Sequence, residues 1–298
     1  MRAWSSARFS IPLPEGHRFP MAKYAMIRDA VAASGLLAGG IEEPDRVDRW
    51  ALGLVHTRGW IEAIMDGSAT GREMRLLGFP WSAELRERSL RTVQATIEAS
   101  RDALTEGWGV TLAGGTHHAF GDRGEGFCVF NDVAVAIRLL QHEGRIQKVA
   151  VIDLDVHQGN GTASIFAGDD DVFTFSMHGR RNYPFHKEVS RLDVELEDGC
   201  GDAEYLALLD RHLDGVLAEA APDLVFYLGG ADPYAGDRLG RLKLSIEGLA
   251  RRDRMVFEAC RRRGLPVVLT MAGGYAADLS AIATLHCNSV TELVRAHH

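Results

Sequence analysis

The stretch QKVAVIDLDVHQGNGT, residues 147–162, does most to limit what this chain can fold into. Val149, Val151 and Ile152 form a short apolar, β-branched run of the kind buried in a parallel sheet. Asp153, Asp155 and His157 then follow in alternation. Side chains two apart on a strand share a face. Three hard or borderline ligands are therefore expected together at the carboxyl end of a strand, where open α/β sheets place their chemistry. Gly159-Asn160-Gly161 reads as a turn that folds the backbone back over them. Two acids and a histidine in that pattern point to a metal site.

The remainder alternates helix and strand. Helices are expected over 21–37, through most of 46–67, and over 82–107. A strand over 108–113 runs into the loop GGTHHAFGDRGEGFC, and Asn131 or Asp132 can cap a helix reaching about His142. After the central stretch come a strand over 171–178, an irregular segment to about Gly201, and a helix over 203–220. A strand over 223–228 leads into GGADPYAGD, a helix covers 249–263, and a strand over 266–271 ends in the glycine turn Gly273-Gly274-Tyr275 before a last helix. This order implies a parallel sheet with right-handed crossovers. Four strands end in loops rich in Gly, His, Asp or Tyr, which points to one site built from all of them. With no Pro-, Gly- or Ser-rich linker, repeat or low-complexity tract, one domain over residues 1–298 is expected.

Bulk composition narrows the partners. The charge is -8, from 41 acids against 33 bases, which argues against nucleic acid as a partner. Four of the bases are lysines (Lys23, Lys148, Lys187 and Lys243); the others are arginines. No apolar run is long enough to span a membrane. The opening MRAWSSARFSIPLPEGHRFP has no apolar core of the signal-peptide kind. Four scattered cysteines without a CxxC pair are expected to be reduced thiols, which fits a cytoplasmic protein.

Within the polar loops, Asp155, His157 and Asp232 form an acid–imidazole–acid set that leaves a coordination position open, as catalytic sites do. Zn²⁺, Fe²⁺, Mn²⁺ and Co²⁺ all suit it. His117 and His118 are adjacent in a glycine-flanked loop, and the central stretch offers them Asp153 and Asn160 as partners. A carboxylate partner favours imidazolium and an amide adds no charge. Such a split lets one ring act as a base while the other stays cationic. The Tyr275 hydroxyl can donate to a developing oxyanion. Phe127, beside Gly126, either lines an apolar channel or belongs to the core.

Taken together, GGTHHAF, GFCVFNDVAVA, IDLDVHQGNGT, GGADPYAGDRLGRLKLS and AGGYA resemble the motifs of the zinc-dependent histone deacetylase family, in the family's order. PLPEGHRFPMAKY resembles its opening segment, so the likeness runs from about residue 10 to about residue 293. Asn160 stands where class I members carry Asp, and Gln158 where many carry a second His; with AGDRLG and the short length, the likeness is greatest to class IV and its bacterial relatives. The resemblance implies the three-layer arginase/deacetylase fold, with a central, mostly parallel sheet of eight strands between helices. It implies one catalytic Zn²⁺ on Asp155, His157 and Asp232. It also implies removal of an acetyl or longer fatty acyl group from N-acyl-lysine by a metal-activated water. His118 would be general base and then acid, and His117, paired with Asp153, its electrostatic partner. Tyr275 would bind the carbonyl oxygen. The Gly126 carbonyl would accept the amide N–H, and Phe127 would wall the tunnel, with Gly273 and Tyr183 also at the substrate. A monovalent cation, K⁺ or Na⁺, would lie against Asp153, Asp155, His157, Ser176 and Met177. Two features depart from the family pattern. The segment GRRNYPFHKEVS offers only Tyr183 or Phe185 as a second tunnel wall, and no residue matches the acidic rim residue of class I enzymes. Small acyl-amides such as acetylpolyamines are the alternative substrates. A non-catalytic acyl-lysine binding module, or a binuclear hydrolase of the arginase type, would be the competing classes; the latter would need a second set of bridging carboxylates.

Overall fold

The computed structural model describes residues 2–297. The chain begins with β1 (Ala3–Trp4), α1 (Lys23–Ser34), β2 (Ile41–Glu42), α2 (Arg49–Leu52), α3 (Arg58–Asp66), α4 (Gly71–Leu77), α5 (Ala83–Glu106) and β3 (Trp108–Val110). After the loop carrying the paired histidines come α6 (Asp132–His142), β4 (Val149–Asp153), α7 (Asn160–Ile165), β5 (Val172–Gly179) and β6 (Leu192–Leu196). α8 (Asp202–Ala220), β7 (Leu224–Leu228), α9 (Ile246–Arg262), β8 (Val267–Thr270) and α10 (Leu279–His297) follow.

Six strands form the central sheet in the order β3-β8-β7-β4-β5-β6, all parallel. From β4 the chain builds outward through β5 and β6, then returns to the other side of β4 with β7 and β8. The reversal makes the β4–β7 seam the topological switch point, the place where open α/β sheets bind ligands.

Strand pleating divides the core into two. Ala150, Ile152, Val225 and Tyr227 face one way, into a cluster shared with α1, α8, α9 and α10. Val149, Val151, Leu224 and Phe226 face the other, against residues of α3, α5 and α6. Helices thus cover both faces, which is why β4 and β7 are apolar at every position but the last of β4.

Several expectations need correcting. The central sheet has six strands, not eight; β1 and β2 pair only with each other and touch the sheet through a single bridge between Trp4 and Thr111. The region 46–67 breaks into α2 and α3, each with its own cap, Asp48 and Thr57. The segment after His178 contains an edge strand, β6, whose Leu192 and Val194 alternate with Asp193 and Glu195. Asn160 and Gly161 do not form a turn but begin α7.

Candidate active site

β4 ends at Asp153, so Asp155 and His157 are not placed by strand alternation. Backbone bonds place them instead. The Asp155 N–H donates to Asp153 Oδ1 at 3.1 Å, and the His157 N–H to Asp155 Oδ1 at 2.9 Å, which coils the segment off the strand end. Across to the neighbouring loops, the Val156 N–H donates to Asp232 Oδ1 at 2.9 Å, and the Gly273 N–H donates back to Asp155 Oδ2 at 2.7 Å. Ends of β4, β7 and β8 are thereby tied together.

The result is a buried set, Asp155, His157 and Asp232, whose ligand atoms all lie within 4.8 Å of one another. His157 Nδ1 is 2.9 Å from Asp155 Oδ1 and 3.2 Å from Asp232 Oδ2. No hydrogen bond satisfies Asp232 Oδ2, a costly state for a buried carboxylate oxygen. Burial, with the charge of Asp155 beside it, pushes the Asp232 carboxyl up to about 6. Glycines keep the space clear: a Cβ on Gly230 would come within 2.7 Å of Asp155 Oδ2. Crowded anions, an orphaned oxygen and one imidazole nitrogen at a single point fit a divalent metal ion.

Beside this set the histidine pair is differentiated. His117 Nδ1 donates to Asp153 Oδ2, and His118 Nδ1 to Asn160 Oδ1, both at 2.7 Å. The ring centroids are 4.1 Å apart. Burial opposes charge on His117, but the carboxylates of Asp153 and Asp155 outweigh it and raise this imidazole to about 9. Burial, then the positive neighbours His117 and His157, hold His118 well below its ordinary value. A carboxylate partner thus favours the cation on His117, while the amide of Asn160 adds no such charge at His118, as the sequence pairing allowed.

The loop that carries them is fixed from behind. Asp132 accepts from the N–H groups of Gly115 and Thr116, at 3.0 and 2.7 Å, and from the hydroxyls of Thr96 and Thr116. Asn131 caps α6 through Ala134. His56 donates from Nδ1 to the Phe120 carbonyl and accepts from the Asn131 N–H at Nε2, both at 3.0 Å.

His118, His157 and Tyr275 form the floor of a cleft of about 550 Å³, with Gly126, Phe127 and Tyr183 along its sides. The rings of Tyr275 and His118 both abut that of His157, at centroid separations of 6.3 and 5.8 Å. Burial and the nearby Asp232 and Asp155 charges keep the Tyr275 phenol protonated. Phe127 has φ 68°, a conformation costly for a residue with a Cβ. The end of α4 holds it there: the Leu77 carbonyl accepts the Phe127 N–H at 2.7 Å, and the Phe127 ring lies where a Gly78 Cβ would be. Of the two candidates for the opposite wall, Tyr183 takes the position; its ring is 5.0 Å from His118 and its hydroxyl donates to Glu125. Phe185 is 80 % exposed; it lines the cleft farther out, edge-on against the ring of Tyr183.

Other expected site residues lie outside the cleft. Gly273 sits behind the metal set, bonded to Asp155. Ser176 is the cross-strand partner of Asp153, next to Met177, and its hydroxyl pairs with His178 Nδ1 at 2.9 Å. Gln158 turns away, bridging Glu188 and Asp193. Sequence reasoning took Asp132 only as a possible helix cap and passed over His56, Glu125 and Asp237. Asp237 accepts the Tyr275 N–H at 2.6 Å, and Lys23 donates to the Gly274 carbonyl at 3.1 Å, so both brace the tyrosine turn. Asp132 had a visible signal, an acid at the first position of a helix; the others are single polar residues far along the chain from their partners.

A parallel α/β sheet with this donor set and histidine pair at its switch point has the layout of a metal-dependent hydrolase. The histone deacetylase domain matches residues 17–291. An uncharacterized protein of Picosynechococcus is 43% identical over 276 residues, covering 92% of each chain. Histone deacetylase 2 of Arabidopsis thaliana is 31% identical over 289 residues, 94% of this chain and 74% of that one. The crystal structure of the HDA15 HD domain superposes with a TM-score of 0.80 at 23% identity, over 99% of this chain and 90% of that one, and so shares the fold. The chain belongs to the histone deacetylase family, and with it to the deacetylase hydrolases.

Proposed function

We propose that this cleft hydrolyses the side-chain amide of N-acyl-lysine, with one zinc ion on Asp155, His157 and Asp232. The observation that carries the reading is the split histidine pair, one ring on a carboxylate and one on an amide, beside that ligand set. A divalent ion there supplies Lewis acidity, which polarises a carbonyl and eases the ionisation of water. The chain's own groups do the rest. His118, neutral and held by Asn160, takes the proton of the attacking water through Nε2 and returns it to the leaving amine. The His117 cation, held by Asp153, stabilises the negative charge that develops alongside. The Tyr275 hydroxyl donates to the carbonyl oxygen as it gains charge. The Gly126 carbonyl accepts the amide N–H, while Phe127 and Tyr183 flank the apolar lysine stem. Asp153, Asp155, His157, Ser176 and Met177 together suit a structural K⁺ or Na⁺ behind the dyad.

The test is a deacylation screen with zinc-loaded protein. Lysine peptides carrying acetyl, butyryl, octanoyl and myristoyl groups, and acetylpolyamines, are assayed with and without a hydroxamate. Hydroxamate-sensitive release of free lysine side chains is expected, and the preferred chain length reports the acyl pocket. A zinc-loaded protein that turns over none of them would sink the assignment.

A further inference from the structure

The rim of the cleft is cationic in a chain that is acidic overall. Arg18, Arg75, Arg181, Arg238 and Arg241 all line it, and no Asp or Glu does among the described residues. All five are exposed, whereas the floor residues His118, His157 and Tyr275 are buried. They come from four separate places: the N-terminal segment, the end of α4, the loop after β5, and the loop after β7. Little nearby neutralises them. Asp198 is 3.1 Å from Arg241 and 4.0 Å from Arg181. Arg238 spends only its Nε, on the Tyr275 carbonyl at 3.0 Å, which leaves its terminal nitrogens unbonded. Arg18 and Arg75 have no ion pair among the described residues. Unpaired guanidinium forks around a concave mouth attract and dock carboxylates, and the low-dielectric walls focus their field.

We propose that the preferred substrate is an acyl-lysine flanked by acidic residues. This rests on the acyl-lysine reading above and adds the sequence around the lysine. The depth ordering decides which part of the substrate meets the arginines. A scissile amide at the floor puts the acyl group deeper still and the lysine stem between Phe127 and Tyr183, so the rim meets the residues on either side of the lysine. The same rim repels a polycation, which disfavours both acetylpolyamines and lysine- or arginine-rich tails.

The experiment compares peptides that differ only in the flanks of one acetyl- or octanoyl-lysine: Glu/Asp, Ser/Gly, or Arg. A Ser/Gly peptide with succinyl-lysine tests whether the arginines read the acyl group instead. At low salt kcat/KM should favour the acidic over the basic peptide by roughly 10-fold or more, the lower end of what a charged cleft lends to encounter. The gap should shrink as salt rises. Arg18→Glu and Arg75→Glu should each lower kcat/KM for the acidic peptide and raise it for the basic one. Equal kcat/KM for all three flanks, or a preference for succinyl-lysine without one for acidic flanks, overturns the proposal. If no peptide is turned over, the hydrolase reading fails by itself. The flanks are then compared by anisotropy, using labelled peptides with an uncleavable ketone isostere of acyl-lysine: tighter binding of the acidic one supports the rim assignment, and equal binding removes it.

Discussion

A Cβ built on Gly273 would lie 1.9 Å from Oδ2 of Asp232, and 2.7 Å from Oδ2 of Asp155. The glycine is required for space, not for backbone freedom, because its φ is not in the left-handed region. Gly273→Ala should therefore push aside a carboxylate of the proposed metal set while leaving the fold intact. Groups that orient metal ligands typically govern about 10- to 100-fold of affinity. A competition titration against a chelator should show a loss of that order. Unchanged zinc affinity would mean that Asp232 is not a ligand.

Tyr275→Phe removes one hydroxyl from the cleft floor and nothing from the metal set. Losing one oxyanion donor costs on the order of 100- to 1000-fold in kcat. The variant should fold, hold its zinc and lose about that much turnover. Near-full turnover would rule out the role given to the phenol.

Asn160→Asp would place a carboxylate on His118 Nδ1, where an amide now sits at 2.7 Å. A carboxylate favours the imidazolium, so the His118 pKa rises and the base stays protonated to higher pH. The acid limb of the kcat/KM profile should move up, by about one unit or more, with activity at neutral pH falling accordingly. A limb that stays put would show that His118 is not the group being titrated.

His56 ties the histidine loop to α6 only while neutral, since its Nε2 accepts from the Asn131 N–H. Burial lowers it from 6.5 to about 4. The unfolded chain gains a proton near pH 6.5 and the folded chain does not until near pH 4, so stability is full above 6.5 and is lost as pH falls between the two values. The integrated loss for this one group is at most roughly 3 kcal/mol. Denaturant unfolding from pH 7 to 4.5 should show the decline, and His56→Gln, which can keep both bonds, should flatten it. An unaltered slope in that variant would assign the acid lability elsewhere.

Much of the candidate site could be read from the chain because each of its expected residues follows an apolar strand. Asp155, His157, Asp232 and Tyr275 stand just past β4, β7 and β8, where run and loop contrast sharply. What could not be read came from two causes. Very short or half-exposed elements carry weak patterns: β1 and β2 have two residues each, and β6 is a half-polar edge strand. Contacts between distant segments leave no local trace. Nothing near Phe127 announces that the end of α4 will clamp it, although the capping box of Thr70 and Glu73 marks where that helix starts. The rim arginines likewise converge only in three dimensions. The coil after Asp153 was misread for a related reason: alternation continues in the sequence after the strand has stopped.

The seam between β4 and β7 has a kinetic meaning as well. Asp232 and Val156, bonded across it, are separated by 76 positions in the chain. No fragment of moderate length contains the full donor set, so the site exists only once the central pair has formed. Release of the ion should then follow the slow opening that governs hydrogen exchange in β4 and β7 and not the quick motions of the loops. The durability of the catalytic centre would thus equal that of the most protected strands.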